Sequence, residues 1–138
     1  MRKIERIFVH CTAGSQKATV QDLWAEFKKK RWVNAGYHYV ITSDGAIHQL
    51  MDLERISNGV QGYNRTAINV AYTGGIDSKG KSVDNRTDAQ KKALRLLLKQ
   101  LHKLYPSAKI MGHRDIWAKG KRKKDCPCFD AIPEYQDI

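Results

Sequence analysis

Short β-rich runs alternate with amphipathic segments along this chain, a pattern that is typical of an α/β protein. The first run, IERIFVHC at residues 4–11, predicts a strand that ends in a histidine and a cysteine. Two runs within residues 36–50 flank the tripeptide SDG, and an Asp-Gly turn between such runs predicts a β-hairpin. Two further strands are predicted at residues 67–76 and 108–113.

Two helices are indicated by capping signals that precede apolar residues at helical spacing. Thr19 and Asp22 have the spacing of a capping box, and they open the amphipathic run TVQDLWAEFKKKRW. Thr87 and Gln90 repeat that spacing before a second helix. The apolar stripe predicted for this helix consists of Leu94, Leu97, Leu98, Leu101 and Leu104. Together the elements predict an α/β fold, a single domain with a central mixed β-sheet flanked by helices.

The length and charge of the chain narrow its possible partners. Its 138 residues fit one domain with a single core, and we take residues 1–138 as that domain. It carries 25 lysines and arginines against 14 acidic residues, a formal charge of +11. This charge favours a polyanionic partner, which is a nucleic acid, an anionic membrane surface or an anionic cell wall. Nucleic-acid binding is the weakest of these interpretations, because the chain has no helix-turn-helix or RNA-binding signature.

The N-terminal sequence MRKIERIFVH does not resemble a secretory signal, since Glu5 and Arg6 interrupt the apolar run that a signal needs. No segment is long enough to span a bilayer, so membrane insertion is not expected. We therefore expect cytoplasmic synthesis without a signal peptide. A cell-wall target would then be reached only after release or export.

Two histidines at predicted strand ends and a later cysteine form a candidate metal site. His10 ends the first strand, His113 ends the last, and Cys126 follows thirteen residues later. Three protein ligands leave a fourth position open, as in catalytic zinc sites, and nitrogen with thiolate suits zinc better than magnesium or calcium. The same residues are compatible with packing at strand ends and a small buried thiol. Their spacing does not decide between these two interpretations.

Five motifs, taken in order, resemble those of a known enzyme family. They are FVHCTAG, GYHYVITSDGAI, INVAYTGGID, GHRDIW and KKDCPCFD. Their order and rough separations resemble those of the zinc-dependent N-acetylmuramoyl-L-alanine amidases, the type 2 amidases. The chain looks like the short phage lysozymes of this family and is more distantly similar to the peptidoglycan-recognition proteins. The resemblance covers about residues 7–130 and is more specific than any one motif.

The resemblance implies a set of functional residues and a reaction. His10, His113 and Cys126 match the family's zinc ligands, whereas Tyr37 and Lys124 match its catalytic tyrosine and lysine. The implied reaction is zinc-dependent hydrolysis of the amide bond between N-acetylmuramic acid and L-alanine in peptidoglycan. The implied role is that of a phage or prophage endolysin, and an exported effector is the alternative.

The chain departs from the family pattern at three places. Ala71 stands where many members carry a catalytic carboxylate, which groups the chain with members that rely on tyrosine and lysine. Gly59 and Val60 replace a histidine or alanine that is often found there, which leaves substrate contacts in this segment open. Cys128 occupies a position that is more often serine or glycine, and we expect Cys126 to be the ligand instead.

Other readings of the sequence remain open. A non-catalytic peptidoglycan-binding module is the alternative within the same family, although such members usually lack the metal-binding cysteine that is present here as Cys126. Trp117 is a candidate for lining a sugar or peptide groove, with packing as the alternative role. Some phage lysozymes also bind a polymerase, and the sequence does not test such a partner.

Overall fold

The β-rich runs form one five-stranded mixed sheet in the computed structural model, which describes residues 1–138. The strands are β1 (Arg6–Cys11), β2 (Tyr39–Ile41), β3 (Ile47–Gln49), β4 (Ala67–Tyr72) and β5 (Lys109–Gly112). Their order in the sheet is β3-β2-β4-β1-β5. Strands β2, β4, β1 and β5 run parallel, and β3 pairs with β2 in the predicted antiparallel hairpin. The predicted fold class is confirmed.

Helices connect the strands and cover the sheet. The α-helices are α1 (Val20–Lys29), α2 (Asp88–Leu104) and α3 (Ala131–Glu134), and the 3₁₀ helices are Asn64–Thr66, His113–Ile116 and Lys119–Lys121. Both predicted capping boxes form. The hydroxyl of Thr19 accepts from the backbone N–H of Asp22 at 3.1 Å, and that of Thr87 accepts from Gln90 at 3.0 Å. None of the helices combines the length and apolar composition needed to cross a bilayer.

The sheet separates two packing layers. On one face, Ile7 and Val9 of β1 belong to a core cluster with the buried leucines of α2. On the other face, Val40 of β2 and Ala71 of β4 belong to a second cluster with α1. Because successive side chains of a strand point to opposite faces, His10 lies on the α1 side of the sheet.

Three details of the elements differ from the prediction. Leu104 is 53% exposed, because it is the last residue of α2 and the stripe ends one turn earlier. Strand β4 ends at Tyr72 instead of residue 76, since Gly74 and Gly75 adopt φ angles of 133° and 100° that turn the chain out of the sheet. His113 begins a 3₁₀ helix directly after β5, and the short helix α3 was not predicted.

Candidate active site

The two histidines and the cysteine singled out from the sequence converge at one edge of the sheet. The ligand atoms of His10, His113 and Cys126 all lie within 4.8 Å of one another. His10 lies near the end of β1, and His113 follows the end of β5. The two strands are parallel neighbours, so their carboxyl ends meet at the same edge. Cys126 reaches this edge from the loop that follows the last 3₁₀ helix.

A hydrogen bond across the sheet fixes the ring of His10. Its Nε2 lies 2.8 Å from the Oδ1 of Asn69 on β4, and its Nδ1 lies 3.7 Å from the Sγ of Cys126. An amide oxygen accepts only, so Nε2 carries the hydrogen and the lone pair of Nδ1 is directed towards the sulfur. Burial lowers the pKa of His10 to about 4. The imidazole is therefore neutral at physiological pH, as a metal ligand must be.

His113 is held on the opposite side of the cluster by its own short helix. Its ring lies 4.9 Å from that of His10 and stacks on Trp117, with 5.6 Å between centroids and an interplanar angle of 22°. The carboxylate of Asp115 accepts from the backbone N–H of Gly112 at 2.7 Å, which caps the turn that carries His113. Burial, together with the proximity of His10 and of the ammonium of Lys124, lowers the pKa of His113 to about 3.

The loop that carries Cys126 is anchored from the core. The hydroxyl of Tyr72, which is fully buried, donates to the carbonyl oxygen of Pro127 at 2.7 Å. The backbone N–H of Arg114 donates to the carbonyl oxygen of Cys126 at 2.9 Å. The sulfur of Cys126 accepts from the backbone N–H of Cys11 at 3.2 Å. These bonds tie the loop to β4, to the helix of His113 and to β1, so the thiol is positioned by three separate elements.

The second thiol of the CPC sequence points elsewhere. The Sγ of Cys128 lies 3.8 Å from the Sγ of Cys11 and 3.4 Å from the carbonyl oxygen of Gly75. It is not a member of the three-residue donor cluster. This placement is consistent with the prediction that Cys126, not Cys128, is the ligand.

The donor cluster lies at the wall of a groove of about 820 Å³. The ring of Tyr37 stands 5.2 Å from that of His10, with Phe27 of α1 behind it at 6.0 Å. Burial raises the pKa of Tyr37, so its phenol keeps its proton at neutral pH. Lys124 also lines the groove; its side chain is exposed and forms no ion pair.

All six site residues named from the sequence line this one groove. They are His10, Tyr37, His113, Trp117, Lys124 and Cys126. Trp117 stacks on His113 and also lines the groove. Ala71, at the position of the family's carboxylate, is completely buried beneath α1, and Glu26 is the one acidic residue that lines the groove.

The donor set fits a zinc ion. Two imidazole nitrogens and one sulfur are the borderline-soft ligands that zinc prefers, and three protein ligands are the number found in catalytic zinc sites. The bond from His10 to Asn69 leaves Nδ1 free for the ion, and most metal-binding histidines donate their other ring N–H to a partner in this way.

Comparison with known proteins identifies the family. A model of the N-acetylmuramoyl-L-alanine amidase family matches residues 1–129. The chain belongs to this family. It is 38% identical to the endolysin of Klebsiella phage KP32 over 131 residues, which cover 94% of this chain and 83% of that protein.

Solved structures support the fold of this amidase-family chain. The N-acetylmuramoyl-L-alanine amidase LysC from Clostridium intestinale URNW superposes with a TM-score of 0.81 at 23% identity, covering 98% of this chain and 84% of that one. Drosophila PGRP-LB superposes with a TM-score of 0.73 at 17% identity, covering 92% of this chain and 76% of that one. The predicted family membership is confirmed, and at these identities the two structures bear on the fold alone.

Sequence reasoning missed one residue of the site. Asn69 is fully buried in β4 and contacts His10 directly. A signal for it exists in the strand sequence AINVAY, where an amide side chain interrupts an otherwise apolar run. A buried polar side chain in such a strand needs hydrogen-bond partners, and here His10 is one of them.

Proposed function

We propose that this protein hydrolyses the amide bond between N-acetylmuramic acid and L-alanine in peptidoglycan, with zinc held by His10, His113 and Cys126. The observation that carries the proposal is the convergence of these three donors in one groove with Tyr37 and Lys124. The membership of the chain in the amidase family gives the substrate bond.

The biological role that we propose is that of a phage or prophage endolysin. Relatives from bacteriophages that are 38% and 37% identical to this chain are named endolysins. The formal charge of +11 favours association with anionic polymers of the cell wall. The enzyme would then act on the wall after its release from the cytoplasm.

The zinc ion, when bound, supplies a Lewis acid that lowers the pKa of water and polarises a carbonyl oxygen. His10 and His113 are neutral near physiological pH, because their pKa values lie at about 4 and about 3, and each offers a lone pair without losing a proton first. The sulfur of Cys126 accepts a backbone hydrogen bond from Cys11, which helps to hold it beside the two histidines.

Lys124 and Tyr37 act on the substrate. When water adds to the amide carbon, the carbonyl oxygen gains negative charge, and a cation held beside it stabilises that charge. The ammonium of Lys124 is suited to this task, since no carboxylate competes for it. Tyr37 keeps its phenolic proton because burial raises its pKa, so we assign it the role of a hydrogen-bond donor towards the same oxygen or the leaving nitrogen.

The groove offers aromatic surfaces beside the reacting centre. Trp117, Tyr63 and Trp32 line it, and Trp32 follows the end of α1. Flat aromatic faces pack well against sugar rings and peptide planes. We assign Trp117 to substrate binding in addition to its stacking on His113.

Digestion of purified peptidoglycan tests the proposal. Zinc-loaded protein is incubated with the polymer, and the new ends are identified by mass spectrometry. The proposal predicts free stem peptides that begin with L-alanine. New reducing sugar ends would assign a glycosidase instead, and binding without any new ends would assign a peptidoglycan-binding module.

Two lysine variants distinguish a catalytic role of Lys124 from a general effect of positive charge. Lys124→Met is expected to retain the metal and to lose about 10²- to 10³-fold in kcat, the usual effect of removing an oxyanion-stabilising group. Lys121→Met removes the same charge from the 3₁₀ helix that precedes this loop, outside the groove, and its activity should stay close to that of the parent. Equal activity of the two variants would contradict the role of Lys124.

A further inference from the structure

We propose that Asn69 is a positioning residue that sets the tautomer and orientation of His10 for metal binding, and that Gly59 is the glycine this arrangement requires. The inference rests on the proposed zinc site and adds the residues of this chain that hold one of its ligands in place. It starts from the 2.8 Å bond between His10 Nε2 and Asn69 Oδ1.

The placement of Asn69 follows from the register of the sheet. In the pairing of β1 with β4, Phe8 lies opposite Asn69, and His10 lies opposite Ala71. Asn69 and His10 therefore occupy neighbouring positions on the same face, and both are buried, at 0% and 1% exposure. In this place the amide has no access to water, so its orientation is decided by its protein partners.

A chain of hydrogen bonds fixes which end of the amide faces His10. The backbone N–H of Val60 donates to Oδ1 of Asn64 at 2.8 Å, which identifies that atom as an oxygen. The Nδ2 of Asn69 lies 3.3 Å from the same oxygen and 2.7 Å from the hydroxyl of Ser57. A flipped amide would place two oxygens against each other, so the oxygen of Asn69 must face His10.

The tautomer of His10 follows directly. Because the amide oxygen accepts only, Nε2 of His10 carries the hydrogen and Nδ1 carries the lone pair. Nδ1 is the nitrogen that lies 3.7 Å from Cys126 Sγ, on the side of the donor cluster. Asn69 thus keeps the lone pair of His10 on the side where the metal would bind, before any metal arrives.

Further hydrogen bonds to His38 hold the backbone of Asn69 in place. Its backbone N–H donates to Nδ1 of His38 at 3.1 Å, and the hydroxyl of Ser57 lies 3.2 Å from the same nitrogen. Since Nδ1 accepts, Nε2 of His38 donates to the carbonyl oxygen of Arg55 at 2.7 Å. The network is therefore fully paired, which favours one arrangement over several.

Gly59 makes room for this side chain. A Cβ on residue 59 would lie 2.3 Å from Cγ and 2.4 Å from Oδ1 of Asn69, and both atoms are held by the buried network. A side chain at position 59 and the amide of Asn69 thus compete for one space. This competition gives a physical reason for a glycine where the sequence departs from the family pattern.

Two measurements test the proposal. The tautomer of His10 is read from the ¹⁵N chemical shifts of its ring in metal-free protein at neutral pH. The dissociation constant for Co²⁺ is read from the visible absorption of the cobalt-substituted site. The parent should show a single Nε2–H tautomer. Asn69→Ala should lose that preference and bind Co²⁺ about 10- to 100-fold more weakly, the usual effect of deleting the hydrogen-bond partner of a metal ligand.

Further variants distinguish a loss of His10 positioning from a general loss of folding. Asn69→Asp keeps an acceptor for Nε2–H but loses the donor that faces Oδ1 of Asn64, so it should retain the tautomer while losing stability in urea unfolding. Asn58→Ala removes an asparagine that lines the groove and whose Nδ2 donates to the carbonyl oxygen of Asn34, not to His10, and it should change neither readout. Gly59→Ala should weaken Co²⁺ binding in the parent and have little further effect in Asn69→Ala, where the contested space is empty.

The outcomes distinguish this inference from the proposed function. Failure of the parent protein to bind zinc or cobalt would end the proposed function, whereas the tautomer is measured without metal. An unchanged tautomer and unchanged Co²⁺ affinity in Asn69→Ala would overturn the positioning role while leaving the zinc site intact. Additive effects of Gly59→Ala and Asn69→Ala would overturn the role given to Gly59.

Discussion

Removal of one buried hydroxyl should loosen the loop that carries Cys126. The variant Tyr72→Phe keeps the ring, which is completely buried in the core, and deletes the donor to the carbonyl oxygen of Pro127. That oxygen is itself buried and accepts no other hydrogen bond, so the variant leaves it without a partner.

The cost follows from that orphaned acceptor. A buried polar group that loses its partner costs about 1–3 kcal/mol in the free energy of unfolding. In a domain of this size this corresponds to a fall in Tm of roughly 3–10 °C. The affinity for zinc should fall as well, because the loop must then be ordered when the ion binds.

The assay is urea unfolding of the metal-free protein, followed by calorimetric titration with zinc. The control is Tyr39→Phe, since Tyr39 is half-buried and its hydroxyl makes no hydrogen bond to the protein; we expect a change within about 0.5 kcal/mol. If the two variants unfold at the same urea concentration and bind zinc equally well, the Tyr72 hydroxyl does not anchor the loop.

Three further predictions concern the core, an ion pair and the second thiol. Leu98→Ala removes a fully buried side chain and should cost about 2–5 kcal/mol in urea unfolding, whereas Leu104→Ala, at 53% exposure, should cost far less. The side chain of Arg86 is 2% exposed and holds the pKa of Glu134 below its usual value. The free energy of unfolding should therefore fall as the pH drops below about 4.3, the pKa of a glutamate in an unfolded chain. Acid-unfolding curves of Glu134→Gln should show a smaller fall. Cys128→Ser should still bind one metal ion per chain in elemental analysis; loss of the ion would make Cys128 a ligand.

Acid destabilises the fold because protonation of Glu134 is linked to unfolding. A carboxyl whose pKa is lower in the folded state than in the unfolded chain stabilises the fold at all pH values above the unfolded pKa. This contribution is lost as the pH falls towards the folded pKa. Glu134 is of this kind because the guanidinium of Arg86 donates to both of its oxygens, and Asp84 behaves similarly with the same arginine.

Local signals in the sequence predict much of the fold. The capping boxes at Thr19 and Thr87 identify the starts of α1 and α2, because a hydroxyl and an acceptor three residues later satisfy free backbone N–H groups in any fold. The Asp-Gly turn likewise identifies the hairpin, where Gly45 has a φ angle of 84°. Such features depend only on near neighbours in the chain.

The details of the site depend on distant neighbours. The motifs named the ligands, but nothing near Cys126 indicates that Tyr72 holds its loop from across the core. The contact between His10 and Asn69 depends on the register of β1 with β4, which a single strand sequence does not specify. The sequence shows that Gly59 departs from the family pattern. The reason for a glycine there, which is the space taken by the side chain of Asn69, depends on the folded structure.

The proposed function depends on which side chains bind the metal, and zinc K-edge X-ray absorption of the loaded protein measures these ligands. We expect one sulfur scatterer at about 2.3 Å, two imidazole nitrogens at about 2.0–2.1 Å and one further light atom in the open position. The sulfur should vanish in Cys126→Ser and persist in Cys128→Ser. A spectrum with two sulfurs, or with no imidazole scattering, would contradict the site formed by His10, His113 and Cys126.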